Sequence, residues 1–249
     1  MQQTGKYVSI LVILGLVLLA LTLLNISLGS VHIPFKDIFS SLFNAEVSKE
    51  TYSYIILDYR LPKAFTAIIA GSGLAISGLL MQTMFRNPLA GPYVLGLSSG
   101  ASLGVAIVIM GATLIGGPFV ALALSKWTLV IASSLGSLMV LFAVVLASVR
   151  LRDTMAILIV GLMFASLTGA VVSILSYFSP AAQLQQYIFW SFGSLGDLSW
   201  TEVGILGIFW FLGISLAVFS IKNLNSLLLG EEYARSLGVN IGRNRMLII

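Results

Sequence analysis

Cysteine is absent from the 249 residues, histidine occurs once, and charged side chains make up only 9% of the chain. The first absence removes disulfides and thiolate metal sites. With His32 as the sole imidazole, no histidine cluster can hold a metal ion. The shortage of charge is the most informative, because ordinary soluble domains carry about 25% charged residues. A chain that is 58% hydrophobic with a mean hydropathy of +1.04 is instead an integral membrane protein. Strand-like alternation is missing too, so the long apolar runs are spanning helices and not barrel strands. The formal charge of +4 does not indicate nucleic acid, since the basic residues stand singly at the ends of apolar runs, where they act as topology signals.

What is present is organised around residues 60–104, RLPKAFTAIIAGSGLAISGLLMQTMFRNPLAGPYVLGLSSGASLG. After Lys63 the run from Ala64 to Phe85 holds no charge and is long enough to cross a bilayer. Arg86 to Pro92 is then a turn, fixed by Pro88, Gly91 and Pro92. A second uncharged run starts at Tyr93, and in it Gly96, Gly100 and Gly104 recur at helical spacing. Small residues on one face let a neighbouring helix backbone approach closely in lipid. The stretch therefore reads as a transmembrane hairpin with a rigid elbow.

Taken in order, the chain predicts six spans, at about 7–24, 64–85, 93–111, 127–149, 154–178 and 202–221. The polar segment Asn25–Tyr59 is an outer loop with a short amphipathic piece at Phe35–Phe43. Gly116, Gly117 and Pro118 form a break, and Arg150, Arg152 and Asp153 a charged turn. Pro180–Leu198 suits a re-entrant or interfacial segment. Ser199 and Glu202 fit a capping box that opens the sixth span. Residues 222–245 form a polar loop, after which Met246 begins an apolar run that is not completed, so the sequence reads as a piece of a longer protein. Placing the N-terminus in the cytoplasm puts eight basic residues inside (Lys6, Arg86, Arg150, Arg152, Lys222, Arg235, Arg243, Arg245) against five outside, the sense of the positive-inside rule.

Chemistry inside the spans is sparse. Gly96-Leu97-Ser98-Ser99-Gly100 matches a hydrolase pattern by letter, but such a serine needs a base and a strand-to-helix elbow. The spans lack ionisable side chains, which disfavours proton- or ion-coupled carriage. Met81 and Met84 are the only clustered soft donors, and methionines on an apolar helix serve packing more often than metal transport. An ion-coupled carrier and an intramembrane serine hydrolase remain the alternatives from a different class.

The stretch 227–245, LLLGEEYARSLGVNIGRNR, predicts a short helix with Glu231 and Glu232 at its start, Arg235 near its end and Gly238 stopping it, an arrangement that complements the helix dipole. Leu229, Tyr233, Ala234 and Leu237 approximate an apolar face. A docking surface for a cytoplasmic partner and a helix resting on its own bundle or on headgroups both account for that face.

These segments together, R-L-P-K, A-G-S-G-L-A-I-S-G-L-L-M-Q, N-P-L-A-G-P-Y-V-L-G-L-S-S-G-A and L-G-E-E-Y-A-R-S-L-G-V-N, resemble the FecCD-type permease subunits of ATP-binding cassette importers for iron-siderophores, haem and cobalamin. The resemblance implies an all-α polytopic bundle of the type II importer kind, about ten helices per subunit, of which the chain holds about six and a coupling loop. It implies a second permease subunit, identical or not, ATPase subunits on the cytoplasmic side, an extracytoplasmic substrate-binding protein, and no cofactor or catalysis in this subunit. By matching motif, Arg60 and Lys63 would meet the binding protein, with Lys63 standing where many relatives have arginine. Asn87, Pro88 and Leu89 would form the cytoplasmic gate, and Glu231, Glu232, Ala234, Arg235, Leu237 and Gly238 the helix that seats in the ATPase. Ser166, Thr168 and Ser173 would line the pathway. The implied location is the cell membrane, and the implied cargo is foremost an iron-siderophore complex.

Overall fold

The computed structural model describes residues 2–43, 45–115, 125–150 and 154–248, and every regular element among them is helical. The order is α1 (Gln2–Ser27), α2 (Phe35–Leu42), α3 (Glu50–Tyr54), α4 (Leu61–Phe85), α5 (Leu97–Ile115), α6 (Lys126–Arg150), α7 (Thr154–Phe178), α8 (Ala181–Ser191), α9 (Trp200–Leu228), α10 (Glu231–Ser236) and α11 (Ile241–Ile248). A π-helical turn over Ile55–Arg60 joins α3 to α4, and a 3₁₀ turn over Pro92–Leu95 precedes α5.

Five helical stretches are long and apolar enough to cross a membrane: Gly5–Ser27, Glu50–Phe85, Lys126–Ala147, Met155–Phe178 and Trp200–Leu228. The third expected span is the shorter α5. Its 19 residues rise about 28 Å at ~1.5 Å per residue, close to the ~30 Å hydrocarbon thickness.

Several boundaries differ from the sequence reading, among them the start of α5, at Leu97 and not at Tyr93. The outer loop ends earlier, since residues 50–60 are already helical. Pro180 precedes α8, a regular helix, because proline fits the entry of a helix where no N–H partner is needed. The sixth helix runs on to Leu228, since Lys222, Asn223 and Asn225 are polar without breaking a helix. The glycine break at 116–118 and the turn at 152–153 lie outside the described residues.

The chain divides into two compact units, Met1–Ser72 with Ser194–Phe211, and Gly73–Gly193 with Leu212–Ile249. In the first, Ile26, Ile33, Ile38, Ile56 and Ala64 form the core. The indole Nε1 of Trp200 donates to the carbonyl of Leu57 at 2.9 Å, and that of Trp210 to Ser72 Oγ at 2.9 Å. In the second, one cluster gathers the end of α4 (Met81, Met84, Phe85), the elbow (Ala90, Leu95), the end of α6 (Val140, Val144), the start of α7 (Ile157, Leu158), Leu224 and Ile248. The methionines are thus core packing. The cluster draws the elbow, the α6–α7 ends and the C-terminal helices to one end of that unit.

Candidate gate and coupling site

The elbow after α4 is built by local chemistry. Arg86 takes the left-handed conformation (φ 49°), which turns the chain sharply out of the helix. Asn87 then accepts the Leu89 N–H on its Oδ1 at 2.9 Å, an Asx turn that a proline at position 88 leaves intact. Gln82 Nε2 reaches the Pro88 carbonyl at 3.0 Å, and the Tyr93 hydroxyl donates to the Leu89 carbonyl at 3.1 Å. Ala90 is buried, whereas Leu89 is 79% exposed at the tip. A cavity of about 630 Å³ opens beside the elbow, lined by Leu74, Gln82, Leu89, Tyr93 and Ser98 among others.

The C-terminal module rests against the same elbow. The Arg86 guanidinium donates to the Leu227 carbonyl at 2.6 Å, at the end of α9 where helix carbonyls lack partners. Beyond Leu228, Gly230 (φ 127°) lets the chain reverse into α10. Gly238 (φ 83°) ends α10: its N–H goes to the Arg235 carbonyl at 2.9 Å and the Val239 N–H to the Ala234 carbonyl at 3.0 Å, a Schellman motif. Asn240 Oδ1 accepts the Arg243 N–H at 3.0 Å to start α11, and Asn223 Nδ2 bonds Asn244 Oδ1 at 3.1 Å, fastening α11 to α9.

The expected apolar face of the short helix divides in two. Ala234 is fully buried with Leu227, Val239 and Ile241, so it is the inside of the module and not its docking surface. Leu229 (69%), Tyr233 (49%) and Leu237 (57%) are exposed. Six helical residues are too few to separate these faces by periodicity. Glu232 and Arg235 pair at 3.4 Å with their side chains exposed, which contributes about 0–1 kcal/mol; the Schellman motif and Ala234 hold the shape. Glu231 opens the helix, and its side chain lies outside the described residues.

The glycines form a seam. A Cβ on Gly100 would lie 2.5 Å from the Gly136 carbonyl oxygen, one on Gly104 would strike the Ala132 carbonyl, and one on Gly136 the Gly100 carbonyl. Helices α5 and α6 therefore cross backbone to backbone, and Ser137 Oγ adds a hydrogen bond to the Leu97 carbonyl at 2.9 Å. Gly96 differs from the helical position expected: it precedes α5 in the left-handed region (φ 77°), and its close neighbours are Val140 and the Gly161 carbonyl. Gly136 and Gly161 complete the seam, and Gly136 was not apparent, because sequence spacing does not say which helices are neighbours.

Of the three hydroxyl residues expected along the pathway, Ser166 and Ser173 are exposed, Thr168 is buried, and all three hydroxyls bond back to carbonyls of their own helix. A separate cavity of about 240 Å³ is lined by Ser98, Ser99, Ser102, Gly169, Val172 and Tyr187. The Tyr187 hydroxyl donates to Ser102 Oγ at 3.2 Å across it. Ser98 sits in the first turn of α5 after a 3₁₀ turn, a setting unlike the strand-to-helix elbow of a hydrolase nucleophile.

In the other unit, Arg60 is 9% exposed and donates to the carbonyls of Ile26, Ser27 (2.8 Å) and Val31. It ties the end of α1 to the start of α4, a buried position at odds with the expected rim contact. Lys63 is exposed. Asp37 is 2% exposed and accepts the Ser48 N–H (2.9 Å) and hydroxyl (2.8 Å), and these bonds hold its carboxyl below the ordinary carboxylate range.

Residues 17–249 match the FecCD transport family. The hemin transport system permease protein of Yersinia pestis is 33% identical over 239 residues, covering 95% of this chain and 69% of that protein. The vitamin B12 import system permease protein of Vibrio parahaemolyticus is 31% identical over 241 residues, 96% of this chain and 67% of that one. Among solved structures, an inward-facing metal-chelate type ABC transporter aligns with a TM-score of 0.77 and 25% identity, over 96% of this chain and 71% of its own.

Proposed function

The chain belongs to the FecCD transport family as a multi-pass permease subunit of an ATP-binding cassette importer, and from that premise we propose that it imports an iron-siderophore complex handed over by an extracytoplasmic binding protein. A relative is named for import of molybdate, an oxyanion, whereas those named for hemin and vitamin B12 and the metal-chelate type transporter share a metal ion wrapped in an organic ligand, and these support a chelate cargo. Spans without ionisable interiors suit such a cargo, which is recognised by shape and hydroxyl contacts. Ser98, Ser99, Ser102 and Tyr187 offer those contacts.

The reading of the mechanism rests on the bond from Arg86 to the Leu227 carbonyl. Leu229, Tyr233 and Leu237 seat in a groove of an ATPase subunit on the cytoplasmic side, where the N-terminus also lies. Movement of the module then acts on Asn87, Pro88 and Leu89, the gate, through that bond. A second permease subunit completes the pathway, and Lys63 serves the binding protein. The test is uptake by the full-length permease, reconstituted with its ATPases and binding protein, from a panel of ferric hydroxamate, ferric catecholate, hemin and cobalamin. A ferric siderophore is expected to be taken up fastest. A preference for hemin or cobalamin would overturn the cargo assignment and leave the permease assignment standing.

A further inference from the structure

Helix α2 has two apolar faces, of which the fold uses only one. Ile38 is fully buried against Ile26, Ile33 and Ile56, and Asp37 and Ser41 are 2% and 3% exposed on the same side. On the other side Phe35 and Phe39 (each 48% exposed), Leu42 (42%) and Phe43 (78%) make an apolar stripe, its phenylalanines at i, i+4 spacing, that stays exposed. Since Ser48 engages the Asp37 carboxylate, the charge left outward on the helix is the cation of Lys36. An exposed cation flanking a phenylalanine stripe is the pattern of a helix lying in the membrane interface.

Its level in the unit agrees. Ile26 lies in the last turn of α1, where the apolar span Gly5–Ser27 ends, and Ile38 shares a core cluster with it. Arg60 bonds the carbonyls of Ile26 and Ser27, so the entry of α4 is at the same height. Around that height Tyr54 (57%), Tyr59 (52%) and Trp200 (46%) are exposed, Tyr54 and Tyr59 in edge contact at 5.5 Å. Tyrosine and tryptophan gather where hydrocarbon meets headgroups. The stripe thus adjoins these aromatic residues and the exposed apolar surface of α1.

We propose that α2 is an interfacial anchor, with Phe35, Phe39 and Phe43 inserted into lipid at the boundary where α1 ends. These 249 residues hold no cysteine, so a spin label on Phe39→Cys is unique among them once any cysteine elsewhere in the transporter is replaced by serine. The full-length transporter carrying that label would be placed in phosphatidylcholine–phosphatidylglycerol vesicles, and its collisions with oxygen, which partitions into lipid, compared with those with a water-soluble nickel chelate. Oxygen access is expected to exceed nickel access by several-fold at Phe39→Cys and at Phe43→Cys, with the order reversed at Lys36→Cys. Nickel access equal to or above oxygen access at both phenylalanine positions overturns the proposal. So does a label that is open to nickel alone and becomes shielded when the binding protein is added, which would give the face to that partner.

Discussion

Arg86 and Leu227, 141 positions apart, are joined by a 2.6 Å hydrogen bond from a guanidinium to a helix-terminal carbonyl. It connects a residue that turns the elbow with a residue that supports the C-terminal module, and the cluster around Phe85, Leu224 and Ile248 packs beneath it. Elbow and module can therefore favour the same joint state, which is what coupling between two sites requires.

Removing that bond should uncouple before it unfolds. Arg86→Ala in the full-length transporter is expected to retain assembly and lower transport per ATP hydrolysed by about three- to tenfold, the scale of a charge-assisted hydrogen bond of roughly 1 kcal/mol at a partly exposed site. Arg86→Lys should recover part of the loss. Uptake and hydrolysis measured in the same vesicles check this; an unchanged ratio would mean that the contact is passive.

The module's two faces should separate by mutation. Ala234→Trp is expected to disrupt α10 and α11 themselves, because a fully buried alanine has no room for an indole. Tyr233→Ala and Leu237→Asp should leave the fold intact and reduce co-purification of the ATPase. Thermal stability and bound ATPase, compared for the three variants, would contradict this if Ala234→Trp were as stable as the wild type, or if the surface variants kept their full ATPase complement.

The glycine seam should be intolerant and local. Gly100→Leu has to displace the Gly136 backbone, at a cost of about 1–3 kcal/mol or more. A Cβ on Gly111 of the same helix meets nothing within 4 Å, so Gly111→Leu should be tolerated better. Monodispersity and melting temperature in detergent distinguish them, and equal behaviour of the two variants would refute the seam.

Asp37 predicts a pH effect in the segment before α3. Its carboxyl is held below its ordinary value by Ser48, so the contact stabilises the fold above the unfolded-state value and is lost as pH falls through the folded one. Hydrogen exchange at the Ser48 amide, corrected for intrinsic rate, should show protection at pH 7 that disappears in acid. Asp37→Asn should lack that pH dependence, and identical profiles for both proteins would exclude the contact.

Much of this was legible in the residues. Uncharged runs marked the spanning helices, Pro88 and Pro92 marked the elbow, and Gly238 marked the end of α10, since each reflects a backbone constraint set locally. The capping contact of the Ser199 N–H to Glu202 Oε2 at 2.7 Å is equally local. What was hidden depends on tertiary neighbours. Arg60 looks like a surface charge until the end of α1 and the loop after it supply three carbonyls to it, and Ala234 looks like part of a surface stripe until α11 covers it. Gly96 follows the spacing of Gly100 and Gly104, yet its left-handed backbone serves the turn before the helix and not the helix itself.

In the proposed mechanism ATP drives import through this chain, and the energy source can be measured directly. In vesicles containing the full-length permease with its ATPases, accumulation of a ferric siderophore should require ATP on the ATPase side and loaded binding protein on the other, and should persist when proton and sodium gradients are dissipated. Accumulation that follows an ion gradient and proceeds without ATP would contradict the account.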